Sequence, residues 1–198
     1  EDLEATAELA PDGAIEPIVC DVADDASVMA MSQQVRDKYG GADIVVNNAG
    51  IVSGGFLADT PLEEWERLYS LNVRGLVCLL QQLTPAMEAQ GLKDQQARHI
   101  VNIASAAGIL AFPGMAAYSA TKAAVISLSD CLRLELAPAK VGVTIVCPTY
   151  VKTPIAETVQ LFGRMNTPIG HKRVASGFKK AKLTSEDVAN ETLHAMNK

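Results

Sequence analysis

Residues 44–50 read IVVNNAG, and this stretch decides the fold class. The uninterrupted apolar run from Ile44 to Val46 is typical of a strand buried on both faces, as in a parallel sheet. Asn47 to Gly50 close the run with residues that favour a turn. Apolar residues at helical spacing flank it, so we predict one helix from Asp24 to Tyr39 and another from Pro61 towards Gln90. A strand between long helices indicates a βαβ unit.

The same alternation of strand and helix extends to both ends of the chain. It implies an α/β fold with a doubly wound parallel sheet in three layers, and residues 1–198 are predicted to form a single domain because no linker is visible. In such sheets ligands bind beyond the carboxyl ends of the strands. The further predicted strands are Ile15–Cys20, Ile100–Ala104 and Val143–Cys147, and the further predicted helices are Ala116–Leu136 and Ser185–Asn197.

Three local patterns give finer expectations. Thr60, followed by Pro61 and by Glu63, predicts a capping box, and the helix after it is expected to bend near Pro85. The basic stretch from Arg164 to Lys182 is predicted to be a solvated loop, with a lid over a substrate as the alternative. As a lid it would line an apolar pocket, whose residues would be Ile109, Phe112, Met115, Phe162, Met165 and Phe178.

Composition excludes several classes of function. Of the 198 residues 48% are hydrophobic, which fits one globular domain, and a net charge of −6 argues against a nucleic-acid partner. No apolar run reaches the roughly 18–20 residues that span a bilayer, and no secretory leader is visible. The four cysteines are far apart without a CxxC pair, so neither disulfides nor a metal site is predicted, and a cytoplasmic location is the default.

The segment Tyr118-Ser-Ala-Thr-Lys122 carries the most chemistry. Positions four apart lie on one face of a helix, so the Lys122 ammonium is expected near the Tyr118 phenol. A phenol has a pKa near 10, and we expect that the cation, with help from burial or a bound positive ring, lowers the pKa of Tyr118. Ser105 follows a predicted strand and can bond a substrate oxygen. Asn72 is unfavourable within a helix, which indicates a surface residue, a kink or the holder of a proton-relaying water.

These residues, together with Asp21-Val22, Asn-Asn-Ala-Gly at 47–50 and Pro148-x-x-Val151-x-Thr153, resemble the short-chain dehydrogenase/reductase family in order and spacing. The resemblance covers essentially the whole chain. It implies a Rossmann-like oxidoreductase that moves a hydride between NAD or NADP and a ketone or secondary alcohol, and a homodimer or homotetramer. The helix leucines Leu76, Leu79, Leu80 and Leu83 would either form an exposed apolar stripe for that assembly or face the sheet.

The resemblance also implies a role for each matching residue. Tyr118 would be the general acid and base, and Lys122 would lower its pKa and hold the nicotinamide ribose. Ser105 would orient the substrate oxygen and Asn72 would serve the proton relay. The other implied cofactor contacts are Asp21 and Val22 at the adenine, Asn48, Ala49 and Gly50 at the adenosine ribose, and Pro148, Val151 and Thr153 at the nicotinamide.

Two departures from the family pattern affect these expectations. Thr149 stands where the family has glycine after Pro148, and the family's Thr-Gly-x-x-x-Gly-x-Gly turn and its first two strands are not in the sequence. We therefore expect an N-terminally incomplete domain of a longer protein. The alternative functions are a catalytically silent cofactor sensor or scaffold of the same fold, and an intramolecular epimerase or dehydratase.

Overall fold

The computed structural model describes residues 2–10 and 14–197. Helices and strands alternate along most of these ranges, and short helices and two-residue strands fill the segment between 150 and 184. The helices are α1 (Asp2–Ala7), α2 (Asp25–Tyr39), α3 (Leu62–Tyr69), α4 (Gly75–Asp94), α5 (Ala116–Leu136), α6 (Ile155–Thr158), α7 (Pro168–Lys179) and α8 (Ser185–Met196). The strands are β1 (Ile44–Asn47), β2 (Ser53–Gly54), β3 (Arg98–Ile103), β4 (Val141–Val146), β5 (Val151–Lys152), β6 (Gln160–Leu161) and β7 (Leu183–Thr184).

The main sheet has the parallel order β1–β3–β4, which confirms the predicted α/β class and its three-layer, Rossmann-like architecture. Its register places Val45 opposite Ile100 and Ile100 opposite Val143. Two small parallel pairs, β2 with β6 and β5 with β7, lie outside the main sheet. Parallel register brings the carboxyl ends of β1, β3 and β4 to one edge, where ligands bind in sheets of this kind.

One face of the sheet packs against α4 and α5 and forms the hydrophobic core. The strands contribute Val45, Ile100 and Val143, because alternate residues of a strand point to the same face. The four leucines considered for assembly, at positions 76, 79, 80 and 83, face this sheet and form no exposed stripe. The buried members of the core on the two helices are Leu76, Leu80, Leu83, Met87, Val125 and Leu136, and Leu79 packs against them partly buried.

The prediction of a strand at Ile15–Cys20 is wrong, since these residues have neither helix nor strand structure. No strand of the described residues lies beside them, and an extended segment without a partner leaves its backbone groups unpaired. The prediction that β1 is buried on both faces is also wrong. Ile44 and Val46 are each 55% exposed, because the helices pack on the face that Val45 occupies.

The irregularity expected near Pro85 lies earlier in the chain. The helical path passes through Pro85 within α4, whereas residues 70–74 form a π turn around Asn72 that separates α3 from α4. The predicted capping box at Thr60 is wrong as well. Pro61 is the N-cap of α3 without a side-chain cap, and the Thr60 hydroxyl donates instead to the Phe56 carbonyl over 3.0 Å.

The end of the chain is more ordered than predicted. The basic stretch expected to be a loop contains α7, whose N-cap Thr167 accepts a hydrogen bond from the Gly170 N–H and is followed by Pro168 in the first turn. Thr184 caps α8 and forms a reciprocal capping box with Asp187. Among the described residues no helix is both long and apolar enough to cross a membrane.

Candidate active site

The carboxyl edge of the sheet is held together by polar contacts between its strands. Asn47 at the end of β1 donates to the Asn102 side chain on β3 over 2.7 Å, and Asn102 donates to Ser129 of α5 over 2.8 Å. Beyond the strands, the Ala106 N–H donates to the Pro148 carbonyl over 2.9 Å. The residues after β3 and β4 are therefore fixed side by side, with Ser105 among them.

Tyr118 lies in the first turn of α5 and interacts with the Ser105 side chain. Burial raises the pKa of the Tyr118 phenol above its ordinary value, and the interaction with Ser105 lowers this pKa by a smaller amount. The expectation that Lys122 and burial lower the pKa of the phenol is thus wrong in this structure. The low-dielectric site disfavours the charged form, and among the described residues only Ser105 lowers this pKa. In this structure the phenol is therefore protonated at neutral pH.

Lys122 lies one turn further along α5, and its Nζ is 5.8 Å from the centre of the Tyr118 ring. The residue is only 5% exposed, and burial lowers the pKa of its ammonium to about 8. Its Nζ donates to the Ile103 carbonyl over 2.9 Å, and no other acceptor bonds it among the described residues. An ammonium has three donors, so two of them are left for another partner.

Asn72 lies in the π turn and is 2% exposed, so the interpretation of Asn72 as a surface residue is wrong. Its amide exchanges two hydrogen bonds with the Ile51 backbone and donates to the Thr121 hydroxyl. A Cβ built on Gly50 would lie 3.3 Å from the Lys122 Nζ and 3.4 Å from the Asn72 Oδ1. Gly50 therefore lies close to both the Lys122 amine and the Asn72 amide oxygen, where a side chain would crowd them.

Two residues near these groups were not singled out from the sequence. Thr121 accepts the Asn72 amide and donates to the Tyr118 carbonyl, which fixes the helix turn that carries both Tyr118 and Lys122. Burial raises the pKa of the Cys147 thiol, while the Ser105 backbone N–H and the Lys122 ammonium lower it in part. The helical spacing of Thr121 relative to Tyr118 was a usable signal, whereas no spacing relates Cys147 to Lys122.

The structure does not bring all predicted site residues to this cluster. Asp21 and Val22 lie in the turn before α2, and the Val22 carbonyl packs against Gly75 at the start of α4. Val151 pairs with β7, and Thr153 lies in the turn before α6. None of these four forms a hydrogen bond with the catalytic candidates among the described residues. Asn48 and Ala49 are exposed directly after β1, at the carboxyl edge of the sheet.

The cluster fits the ribose and ring of a nicotinamide nucleotide. The two unused donors of the Lys122 ammonium are available for ribose hydroxyls, and Gly50 leaves the backbone open beside them. The side chains at Asn48 and Ala49 are small enough for a flat ligand to lie across the strand end. Ser105 and Tyr118 together offer two hydroxyls to a single substrate oxygen.

Comparisons with known proteins agree with this fold. The family model described as short chain dehydrogenase matches residues 1–162. A D-beta-hydroxybutyrate dehydrogenase of Rhizobium meliloti is 34% identical over 168 residues, which are 85% of this chain and 57% of that relative. The chain spans between 26% and 57% of the length of the curated relatives compared here.

Two solved structures resemble the chain over nearly its whole length. A short chain dehydrogenase/reductase from Burkholderia phymatum, in complex with NAD, has a TM-score of 0.86 at 30% identity and covers 98% of this chain and 73% of its own. A 3-ketoacyl-(acyl-carrier-protein) reductase from Brucella melitensis, complexed with NADH, has a TM-score of 0.80 at 30% identity, with 96% and 74% covered. The chain belongs to the short chain dehydrogenase family.

Proposed function

We propose that the protein is an NAD- or NADP-dependent oxidoreductase that interconverts a ketone and a secondary alcohol. The observation that carries the proposal is the cluster at the carboxyl edge of the sheet, where Tyr118 interacts with Ser105 and the Lys122 Nζ lies 5.8 Å from the Tyr118 ring. Relatives named as dehydrogenases and reductases, one of them crystallised with NAD and another with NADH, support the choice of cofactor.

Each residue has a role that its position supports. The Ser105 hydroxyl orients the substrate oxygen, and the Tyr118 phenol gives a proton to that oxygen in reduction and takes it back in oxidation. When bound, the nicotinamide supplies or accepts the hydride at the substrate carbon. Because the pKa of Lys122 is about 8, its amine is largely an ammonium at neutral pH. In the proposed mechanism this positive charge favours the phenolate form of Tyr118.

The remaining residues complete the proposed site. Asn72 holds the water that relays protons between Lys122 and solvent. Its amide oxygen and the Lys122 amine lie on either side of Gly50, which is consistent with this role. The relay would take the proton that Tyr118 exchanges with the substrate. The proposed cofactor contacts are Asp21, Val22, Asn48, Ala49, Gly50, Tyr118, Lys122, Pro148, Val151 and Thr153.

The proposal extends to the setting of the enzyme. Residues 1–198 would belong to one oxidoreductase domain, which would act within a homodimer or homotetramer in the cytoplasm on a small ketone or alcohol. Light scattering of the purified protein tests the assembly. A homo-oligomer supports the proposal, and a monomer at micromolar concentration contradicts this part of it.

Substitution of the phenol tests the chemistry. Tyr118→Phe should lower turnover by a factor of about 10²–10⁴, the usual contribution of a positioned acid or base, and should keep cofactor affinity. Lys122→Ala should weaken both turnover and cofactor binding. Turnover is measured with a panel of ketones and alcohols, and binding by isothermal titration with NADH and NADPH.

The control for this experiment is Tyr69→Phe, which removes the hydroxyl of a tyrosine that is 55% exposed on α3. Its turnover should equal that of the unmodified protein. Turnover retained by Tyr118→Phe would contradict the proposed mechanism. Binding of the nucleotides without turnover of any compound in the panel would favour a cofactor sensor or scaffold instead.

A further inference from the structure

The segment 160–165 is fastened to the loop that follows β1. Within it β6 pairs in parallel with β2, and the Phe162 N–H donates to the Gly54 carbonyl over 2.8 Å. The Gly55 N–H in turn donates to the Gly114 carbonyl, also over 2.8 Å. Three parts of the chain that are distant in sequence therefore meet just before the start of α5, the helix that carries Tyr118.

Apolar side chains of the segment occupy the space above two glycines. A Cβ built on Gly54 would lie 2.9 Å from Leu161 Cδ2, and one built on Gly114 would overlap the Met165 sulfur. Leu161 is 5% exposed, so this contact is part of a packed interior. Gly114 precedes Tyr118 by four residues, which places the roof formed by Leu161 and Met165 beside the first turn of α5.

A polar contact secures the same segment from outside. The Arg164 side chain donates to Asp59 Oδ2 over 2.8 Å, and its guanidinium lies 4.6 Å from the centre of the Phe56 ring. The Arg164 guanidinium is also the main cause that lowers the pKa of Asp59. Gly163 has a φ of +51°, and a Cβ there would overlap Asp59, so the glycine permits the close approach of the two chains.

We propose that Asp59 and Arg164 are positioning residues that hold the segment 160–165 over the start of α5 and thereby limit the room for a substrate beside Tyr118. The pair acts through the roof and touches no reacting atom. The roof side chains are apolar, so the covered space suits an apolar group next to the carbonyl carbon. The limit on substrate room and the preference for an apolar group rest on the proposed function. The fastening of the segment 160–165 by Asp59 and Arg164 does not.

Hydrogen exchange of the backbone amides tests the fastening independently of any activity. Arg164→Gln should speed exchange of the Phe162 amide about tenfold, the combined effect of losing a partly exposed ion pair and a cation–π contact. The Ala104 amide, which donates to the Val146 carbonyl inside the sheet, should keep its rate. Arg164→Lys retains the charge and should restore part of the protection.

A matched control separates this effect from a change of charge. Arg133→Gln removes an arginine that bonds Asp130 over 2.8 Å and the Val143 carbonyl over 3.2 Å, and it should leave Phe162 exchange unchanged. The pair Asp59→Asn and Arg164→Gln should be non-additive, since either change removes the same side-chain ion pair, while the backbone N–H of residue 164 that donates to Asp59 over 3.3 Å is present in both variants. Exchange of Phe162 within about twofold of the unmodified protein in Arg164→Gln would overturn the proposal.

Kinetics test the effect on substrate. In Arg164→Gln we expect KM to rise about threefold, because Leu161 and Met165 are held beside Tyr118 for a smaller fraction of the time. The value of kcat should stay within about twofold, because Tyr118 itself is unchanged. A fall of kcat at constant KM would overturn the assignment as positioning residues. Faster exchange in the variant, combined with no turnover by the unmodified protein, would refute the proposed function and leave the fastening in place.

Discussion

The buried ammonium of Lys122 should make folding stability depend on pH in alkaline solution. Burial lowers its pKa from the ordinary 10.5 to about 8. Below pH 8 the amine is charged in both the folded and the unfolded chain, and folding bears the cost of burying the charge. Above pH 8 the folded chain releases the proton first, so the unfolded state binds more protons and stability rises until about pH 10.5.

The size of this effect follows from the difference between the two pKa values. At 1.36 kcal/mol per pKa unit, the cost of the buried charge below pH 8 is about 3 kcal/mol. Lys122→Met removes the amine but keeps a long apolar side chain. The variant should be more stable at pH 7 by less than that amount, because it leaves the Ile103 carbonyl without its donor, which costs about 1–3 kcal/mol.

Urea denaturation at several pH values gives the comparison. The unfolding free energy of the unmodified protein, minus that of Lys122→Met, should increase by about 2–3 kcal/mol between pH 7 and pH 10. Subtraction removes groups that titrate alike in both proteins. Thr121→Val is the control, since it removes a buried hydroxyl next to Lys122 but no titratable group, so its difference from the unmodified protein should stay level.

A level difference for Lys122→Met as well would refute the reasoning. It would mean that the amine is hydrated in the folded protein, or that an unrecognised anion compensates the buried charge.

Two further substitutions test the packing at the site. Gly75→Ala should lower the unfolding free energy by about 1–3 kcal/mol in urea denaturation, since its Cβ would overlap the Val22 carbonyl oxygen, and an unchanged midpoint would contradict that close approach. Asn102→Ala should cost about 2–4 kcal/mol by the same measurement, because it leaves the buried Asn47 amide without its acceptor and Ser129 without its donor. A loss below about 0.5 kcal/mol would show that water replaces the amide.

The controls for these two variants are substitutions at exposed positions, one on α4 and one at an asparagine. Gln81→Ala, on the outer face of α4, should change stability by no more than about 0.5 kcal/mol. Asn197→Ala removes an exposed amide that caps α8 through the Leu193 carbonyl, and it should cost much less than Asn102→Ala. Equal losses for the two asparagines would contradict the argument from burial.

The main elements of the fold could be predicted because their evidence is local. Helix α5 has the predicted bounds Ala116–Leu136, and β1, β3 and β4 fall within two residues of the predicted strands. The segment 15–20 failed because a strand needs a neighbour, and the sequence of one segment carries no information about its partner. The α7 helix was missed because its sequence contains two glycines and several basic residues and none of its residues is buried, so no apolar pattern of helical period marks it.

Grouping of the site residues was predictable for the same reason. Tyr118 and Lys122 share one helix, and Ser105 follows a strand, so spacing and strand order suffice to bring them together. The Asp59–Arg164 contact spans two loops and has no such signal. It depends on the positive φ of Gly163, which a sequence shows only as one glycine among fourteen.

Spacing could not show the direction of the pKa shifts, because burial decides them. The helical spacing predicts Lys122 as a source of charge, yet the same burial that keeps water from the amine also lowers its pKa towards neutrality. The proposed chemistry makes two demands on the Lys122 amine. It must be shielded from water so that its N–H donors remain free for a ligand, and it must still be protonated at pH 7. A pKa of about 8 meets both demands, and deeper burial by about two further pKa units, or roughly 3 kcal/mol, would leave a neutral amine unable to stabilise the Tyr118 phenolate.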